Sequence, residues 1–245
     1  AAAALAFPYE GIFLSRVLGV SLTWIGVLFG VVPLVMMPLQ IWGGALTDRL
    51  GRRRMMILSA WMGVAWFVGF AFVRTVWQVA LLVALESAFG WPLFQTASGA
   101  MIADLLPASK RAEAYSVYRA VMNLGVVVGP ALAGLALGAG VTFRGLFLSA
   151  ATGCFAFTLL IIWGIRETRP AAVQGTEEER APGEPAAEEA GYRRVLADRH
   201  FLVFCAVATL PVFCFGTFGA IYSVFITTVL HVPYATWGLL LALNA

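Results

Sequence analysis

Apolar residues in this chain run on in long stretches with no sustained polar alternation. Eight such stretches, 1–18, 22–46, 55–73, 76–103, 116–139, 143–165, 200–226 and 235–245, are divided by polar joints. About 20 mostly apolar residues carry an α-helix across the hydrocarbon core of a bilayer, whereas a barrel strand needs only about 9–11 with alternating polarity. Lipid offers no hydrogen-bond partners, so each spanning segment has to satisfy its own backbone. The pattern predicts an all-α membrane protein: a six-helix bundle over 1–165, a joint over 166–197, and the start of a second bundle over 198–245.

The joints carry the charge. Thirteen of the 16 Lys and Arg residues fall on one side of the predicted bundle, leaving only Arg16, Arg74 and Arg144 on the other. Positive charge is retained on the cytoplasmic side, so the N-terminus and the 166–197 joint are expected inside a cell inner membrane. That joint holds TEEERAPGEPAAEEAG, rich in Glu, Pro and Ala and without apolar periodicity, and reads as a solvated linker.

Composition narrows the function. The chain is 61% hydrophobic and 12% charged, about half the charged fraction of a soluble domain. A cytosolic enzyme, a secreted disulfide scaffold and a nucleic-acid-binding domain are excluded. Cys154, Cys205 and Cys214 lie in apolar stretches without metal-ligand spacing and read as buried hydrophobes. His200 and His231 stand at segment ends with no nucleophile, and no Gly-Lys-Ser/Thr phosphate loop is present. No catalysis, metal or cofactor is predicted.

The sequence also repeats. At an offset of 212 residues, IFLSRVLGVSLTWIGVLFG (12–30) overlays VFITTVLHVPYATWGLLLA (224–242), with Phe13 on Phe225, Val20 on Val232 and Gly26 on Gly238. Parallel six-helix repeats are one construction principle of secondary transporters, so both ends of this chain read as cut, and about twelve helices and nearly 400 residues are expected of the intact protein.

Between the second and third segments stands GGALTDRLGRRRMM, read as a tight cytoplasmic turn in which Gly44 admits a neighbouring helix and Gly51 supplies an unusual backbone conformation. The string resembles the signature of the major facilitator superfamily, Gly-x-Leu-Ala-Asp-Arg-x-Gly-Arg-Arg, through Gly44, Leu46, Asp48, Arg49, Gly51, Arg52 and Arg53, with Thr47 in place of the Ala. Asp104 at the end of the fourth segment and Arg111 in the next joint extend the likeness. The resemblance implies a major-facilitator-type bundle of two halves and a conformational latch built on Asp48, Arg52 and Asp104, with Arg49, Arg53 and Arg111 beside it. In the fifth segment, NLGVVVGPALAG is similar to the superfamily's antiporter motif. Gly125 and Gly129 belong to a small-residue stripe there, and with Pro130 and Gly134 they mark a candidate hinge.

Two carboxylates lie within apolar stretches. Glu86 stands about ten residues into the fourth segment, hence about 15 Å deep. An ionised side chain there costs about 2.5–3.5 kcal/mol unless it meets water or a partner, or stays protonated. It is a candidate proton carrier. Glu10 is the second, and pairing with Arg16 is its alternative role. With Tyr9, Phe94 and Asn123 these residues are expected to line a central cavity. Arg119, four residues before Asn123, is read as snorkelling to the interface. The resulting expectation is a secondary transporter, monomeric when full length, exporting hydrophobic or cationic small molecules in exchange for protons. The alternatives are a symporter importing a sugar or organic anion, and a seven-helix receptor-like signalling protein.

Overall fold

The computed structural model describes residues 2–168 and 197–244, which form helices and connecting turns, with no strand among them. The chain runs through α1 (Ala2–Arg16), α2 (Leu22–Gly26), a π-helical turn (Val27–Val31), α3 (Val32–Leu50), α4 (Arg52–Phe72), α5 (Val76–Phe89), α6 (Trp91–Leu105), α7 (Arg111–Gly138), α8 (Phe143–Gly164), α9 (Arg199–Thr228) and α10 (Tyr234–Asn244). Most of the 166–197 joint and the side chain of Cys214 lie outside the described residues. Among these, the spans Arg52–Phe72, Val76–Leu105, Ala108–Gly138 and Phe143–Gly164 are long and apolar enough to cross a membrane.

Three differences from the sequence reading have local causes. The second segment bulges into π geometry just ahead of Pro33, which lacks an N–H. The fourth segment is two helices rather than one, broken at Gly90 where Gly-Trp-Pro places Pro92 in the first turn of α6. The signature stretch is almost entirely helical, and Gly51 alone separates α3 from α4. Its φ of 98° belongs to glycine.

Helix α1 is the centre of the packing, with Tyr9, Ile12 and Leu14 wholly enclosed. Phe13 meets Phe147 of α8 edge-on at 5.1 Å, Phe147 meets Phe70 of α4 at 5.5 Å, and Trp66 lies 4.7 Å from Phe70. These offset and edge-to-face pairs join α1, α4 and α8. A second cluster of Met55, Met56, Phe94, Ala97 and Ile161 joins α4, α6 and α8 nearer the signature end. On the outside, Trp24 and Trp77 pair at one end and Trp163 stands exposed at the other, the placement of aromatic residues at membrane interfaces.

The repeated sequence forms a repeated turn. After α1, Val17 N–H donates to Phe13 O at 2.9 Å, Leu18 N–H to the same oxygen at 3.3 Å, and Val20 N–H to Leu14 O at 2.9 Å. After α9 the donors are Val229, Leu230 and Val232, and the acceptors Phe225 (2.9 and 3.3 Å) and Ile226 (3.2 Å), each exactly 212 positions later. Gly19 (φ 66°) and His231 (φ 54°), also 212 apart, both take the left-handed conformation.

Candidate functional site

At the signature end, α3, α4, α6 and the residues after α8 converge. Asp48 and Arg52 face each other across Gly51, with Arg52 Nη2 3.0 Å from Asp48 Oδ1. Arg52 Nε lies 2.9 Å from Asp104 Oδ2, a close ion pair rather than an aligned hydrogen bond. The guanidinium is nearly buried while Asp48 is half-exposed. The sequence-predicted trio is thus brought together.

Glu167, which the sequence reading left in the linker, completes the group. Its carboxylate accepts from the backbone N–H of Arg52 at 2.9 Å and of Arg53 at 3.2 Å, capping the positive end of α4. A Cβ on Gly51 would collide with that carboxylate, so glycine is required there by space as well as by φ. Thr168 Oγ1 donates to Asp104 Oδ2 at 3.3 Å. Arg53 turns to carbonyls instead, donating from Nε to Ile165 O at 2.7 Å and from Nη2 to Ile162 O. Arg111 caps the end of α6 through Ala103 O (2.8 Å) and Leu106 O (3.2 Å), and lies beside Asp104's helix rather than on its carboxylate. Arg49 occupies the last turn of α3. Gly44 is half-buried, and the close approach falls at Gly43, where a Cβ would stand 3.1 Å from Leu93 Cδ1. Thr47 donates to Gly43 O at 2.8 Å, so its buried hydroxyl is satisfied.

At the opposite end the first eight helices meet α9 and α10. Arg16 Nη2 donates to Thr227 O at 2.6 Å, and its guanidinium stands 6.0 Å from the Tyr234 ring. Tyr9 OH donates to Pro130 O at 3.0 Å with Tyr234 O at 3.4 Å, so one hydroxyl ties α1, α7 and α10. Beside it Gly134 and Gly238 cross. A Cβ on Gly134 would meet Tyr234 O and approach Gly238 Cα to 3.1 Å, the close packing that small residues permit. Gly129 makes a like approach to α1, where a Cβ would lie 2.7 Å from Leu5 N. Gly125 is buried, and α7 continues through Pro130 without a break.

The expected cavity residues are distributed differently. Glu10 is enclosed, accepting from Trp66 Nε1 at 2.7 Å, while its Oε2 has no hydrogen-bond partner among the described residues. Arg16 pairs with Thr227 and not with Glu10. Glu86 is half-buried in the last turn of α5, where Oε1 accepts from Trp91 N–H at 2.8 Å and caps α6 across the break. Ser59 donates to Gly90 O at the same break. Tyr9 and Phe94 are buried in helix packing, Phe94 stacked on Trp91 at 5.5 Å, because their rings fill interhelical space. Asn123 is exposed on α7.

A family model described as Major Facilitator Superfamily matches residues 1–245. The chain belongs to this superfamily. Superfamily relatives include an uncharacterized MFS-type transporter, YqjV of Bacillus subtilis, 30% identical over 54% of this chain and 32% of that protein. A Na(+), Li(+), K(+)/H(+) antiporter of Planococcus maritimus is 29% identical over 83% of this chain and 49% of its own length. The multidrug resistance protein MdtH of Yersinia enterocolitica is 29% identical over 83% of this chain and 47% of its length. The chain therefore spans about half the length or less of these major facilitator relatives, and it is a multi-pass membrane protein of the transporter type.

Proposed function

We propose that this chain supplies the first half, and the beginning of the second, of a secondary transporter that works by alternating access and exports amphipathic small molecules in exchange for protons. The observation that carries the reading is the division of labour between the two ends. One end holds a charged cluster of Asp48, Arg52, Asp104 and Glu167, and at the other α1 and α7 close directly onto α9 and α10. Counting Lys and Arg assigns the charged end to the cytoplasm, so the arrangement is closed toward the outside. A site between two halves that rock against each other is the superfamily's way of moving a solute, and relatives named for multidrug resistance and cation/proton exchange support export and antiport.

In this reading Glu86 carries the proton. Its charge faces the N-terminal dipole of α6, so protonation weakens the cap at the Gly90 break and loosens α5 against α6. Glu10 has the aromatic enclosure of a second such group. The test is solute flux by the full-length protein in inverted membrane vesicles under an imposed pH gradient. Gradient-driven accumulation is expected, abolished in Glu86→Gln and Glu10→Gln together. Gradient-driven accumulation unchanged in that double variant would remove both carboxylates from the coupling, and absence of any solute flux would end the transporter reading itself.

A further inference from the structure

The stripe of α7 that meets α10 continues toward the signature end. Arg119 and Pro130 are eleven residues apart, as are Asn123 and Gly134, which is a rotation of only about 20° at 3.6 residues per turn. Where the contact with α10 stops, a pocket of about 340 Å³ opens between α6 and α7, lined by Gln95, Ser98, Gly99, Tyr115, Tyr118 and Arg119. Arg119 stands eight residues, about 12 Å, along α7, and Gln95 about 15 Å from the end of α6. Counted from residue 116, where the apolar stretch begins, Arg119 lies about 5 Å in, exposed and near enough to the interface for its charge to stay hydrated.

The hydrogen bonds inside the pocket decide what it can bind. Tyr118 OH donates to Gln95 Oε1 at 3.0 Å, Ser98 Oγ to Gln95 O at 3.2 Å, and Tyr115 OH to Gly99 O at 2.8 Å. All three hydroxyl protons are engaged within the wall. The hydroxyl oxygens keep acceptor lone pairs, while the donors left on the lining are the amide N–H groups of Gln95 and the guanidinium of Arg119. That guanidinium is the one full charge there, and no carboxylate is paired against it among the described residues. Glu10 and Glu86 are held elsewhere, by Trp66 and by the α6 terminus.

We propose that this pocket binds the anionic group of the transported solute, a carboxylate or sulfonate on an aromatic or similarly sized organic molecule, with Arg119 as its counter-charge, Gln95 as a second donor, and Tyr115 and Tyr118 beside its apolar body. The proposal rests on the transporter reading and narrows its substrate to organic anions rather than cations. Charge-assisted bonds to a planar guanidinium suit such a group, and a volume of a few hundred Å³ suits such a molecule.

The experiment uses the purified full-length protein and two xanthene dyes of similar size, carboxyfluorescein (anionic) and rhodamine 6G (cationic). Equilibrium binding in detergent is measured first, then flux in proteoliposomes. Carboxyfluorescein is expected to bind, to lose about tenfold or more in affinity in Arg119→Gln, the scale of one charged hydrogen bond, and to recover part of it in Arg119→Lys. Unchanged melting in both variants separates the loss from misfolding. Equal carboxyfluorescein binding by parent and Arg119→Gln, or tight rhodamine 6G binding without carboxyfluorescein binding, overturns the pocket while leaving transport standing. Arg119-dependent binding with no flux of either dye upholds the pocket and overturns the transporter reading.

Discussion

Replacing Glu167 by Ala tests whether the charged cluster is a latch. The carboxylate holds two N–H groups at the start of α4, at 2.9 and 3.2 Å, and that helix carries Arg52 into its ion pairs with Asp48 and Asp104. Glu167 is exposed, so solvent screens its charge, and the relevant scale is that of a helix cap, about 1 kcal/mol. A change of that size alters a two-state ratio about fivefold. If the cluster, kept in shape by Glu167, docks on the second half only when the end carrying α9 and α10 is open, Glu167→Ala weakens that docking and shifts the protein toward the form closed at that end. A cysteine introduced at Ala235, packed where a Cβ on Gly138 would lie 3.3 Å from the Ala235 Cβ, reports that closure once the native cysteines are replaced. Its maleimide labelling in the full-length protein is expected to slow about fivefold, and Glu167→Gln, which keeps an acceptor but no charge, to fall between. Labelling that is unchanged or faster in Glu167→Ala would refute the latch.

Three further substitutions probe the contact with α9 and α10 and the helix break. Arg16→Gln removes the charged bond to Thr227 O, so it should speed Ala235→Cys labelling several-fold, and Arg16→Gln with Glu167→Ala should return it toward the parent rate. Gly134→Val places side-chain atoms against Tyr234 O. At about 1–3 kcal/mol for overpacking, disulfide formation between cysteines placed at Gly138 and Ala235 should fall about tenfold or more. Glu86→Ala removes the cap on Trp91 N–H, about 1 kcal/mol, and should lower the melting temperature of the purified protein more than Glu86→Gln does.

The segments, the Gly51 turn and the meeting of Asp48, Arg52 and Asp104 were legible because each is local in sequence or belongs to a motif of fixed spacing. Glu167 was not. It lies just past an apolar run, and its partners are backbone N–H groups 115 and 114 residues away, which no periodicity marks. The break at Gly90 had a signal in Gly-Trp-Pro, which a hydropathy window averages away. Glu86 was judged by its depth along one continuous helix, yet the end of α5 gives its carboxylate a backbone partner. Tyr9, Glu10 and Phe94 stood on helices expected to line a cavity, but the side of a helix that a residue occupies is set by tertiary packing. In segments apolar all round there is little amphipathic contrast to reveal that side.

The two ends differ in whether their bonds join α9 and α10 to the rest. At the charged end Asp48, Arg52, Asp104 and Glu167 all belong to the helices of the first half or the residues just after them, so their contacts survive a rocking of one half against the other. They stiffen α3, α4 and α6 into one body and present it to a partner. At the opposite end Arg16 to Thr227 and Tyr9 to Tyr234 join α1 to α9 and α10, whereas Tyr9 to Pro130 stays between α1 and α7. When α10 moves away, the Tyr9 hydroxyl keeps its acceptor 3.0 Å away on α7 and loses only the one at 3.4 Å. The Gly134–Gly238 crossing has no side chains to interlock. The closure thus combines the Arg16 bond and the glycine crossing with apolar packing. Val224, Ile226 and Trp237 share a core with Tyr9, Phe13 and Ala133, and the Phe143 and Tyr234 rings meet edge-on at 5.7 Å. In the proposed cycle, binding of a proton or a solute has to favour the open form by enough to offset that packing.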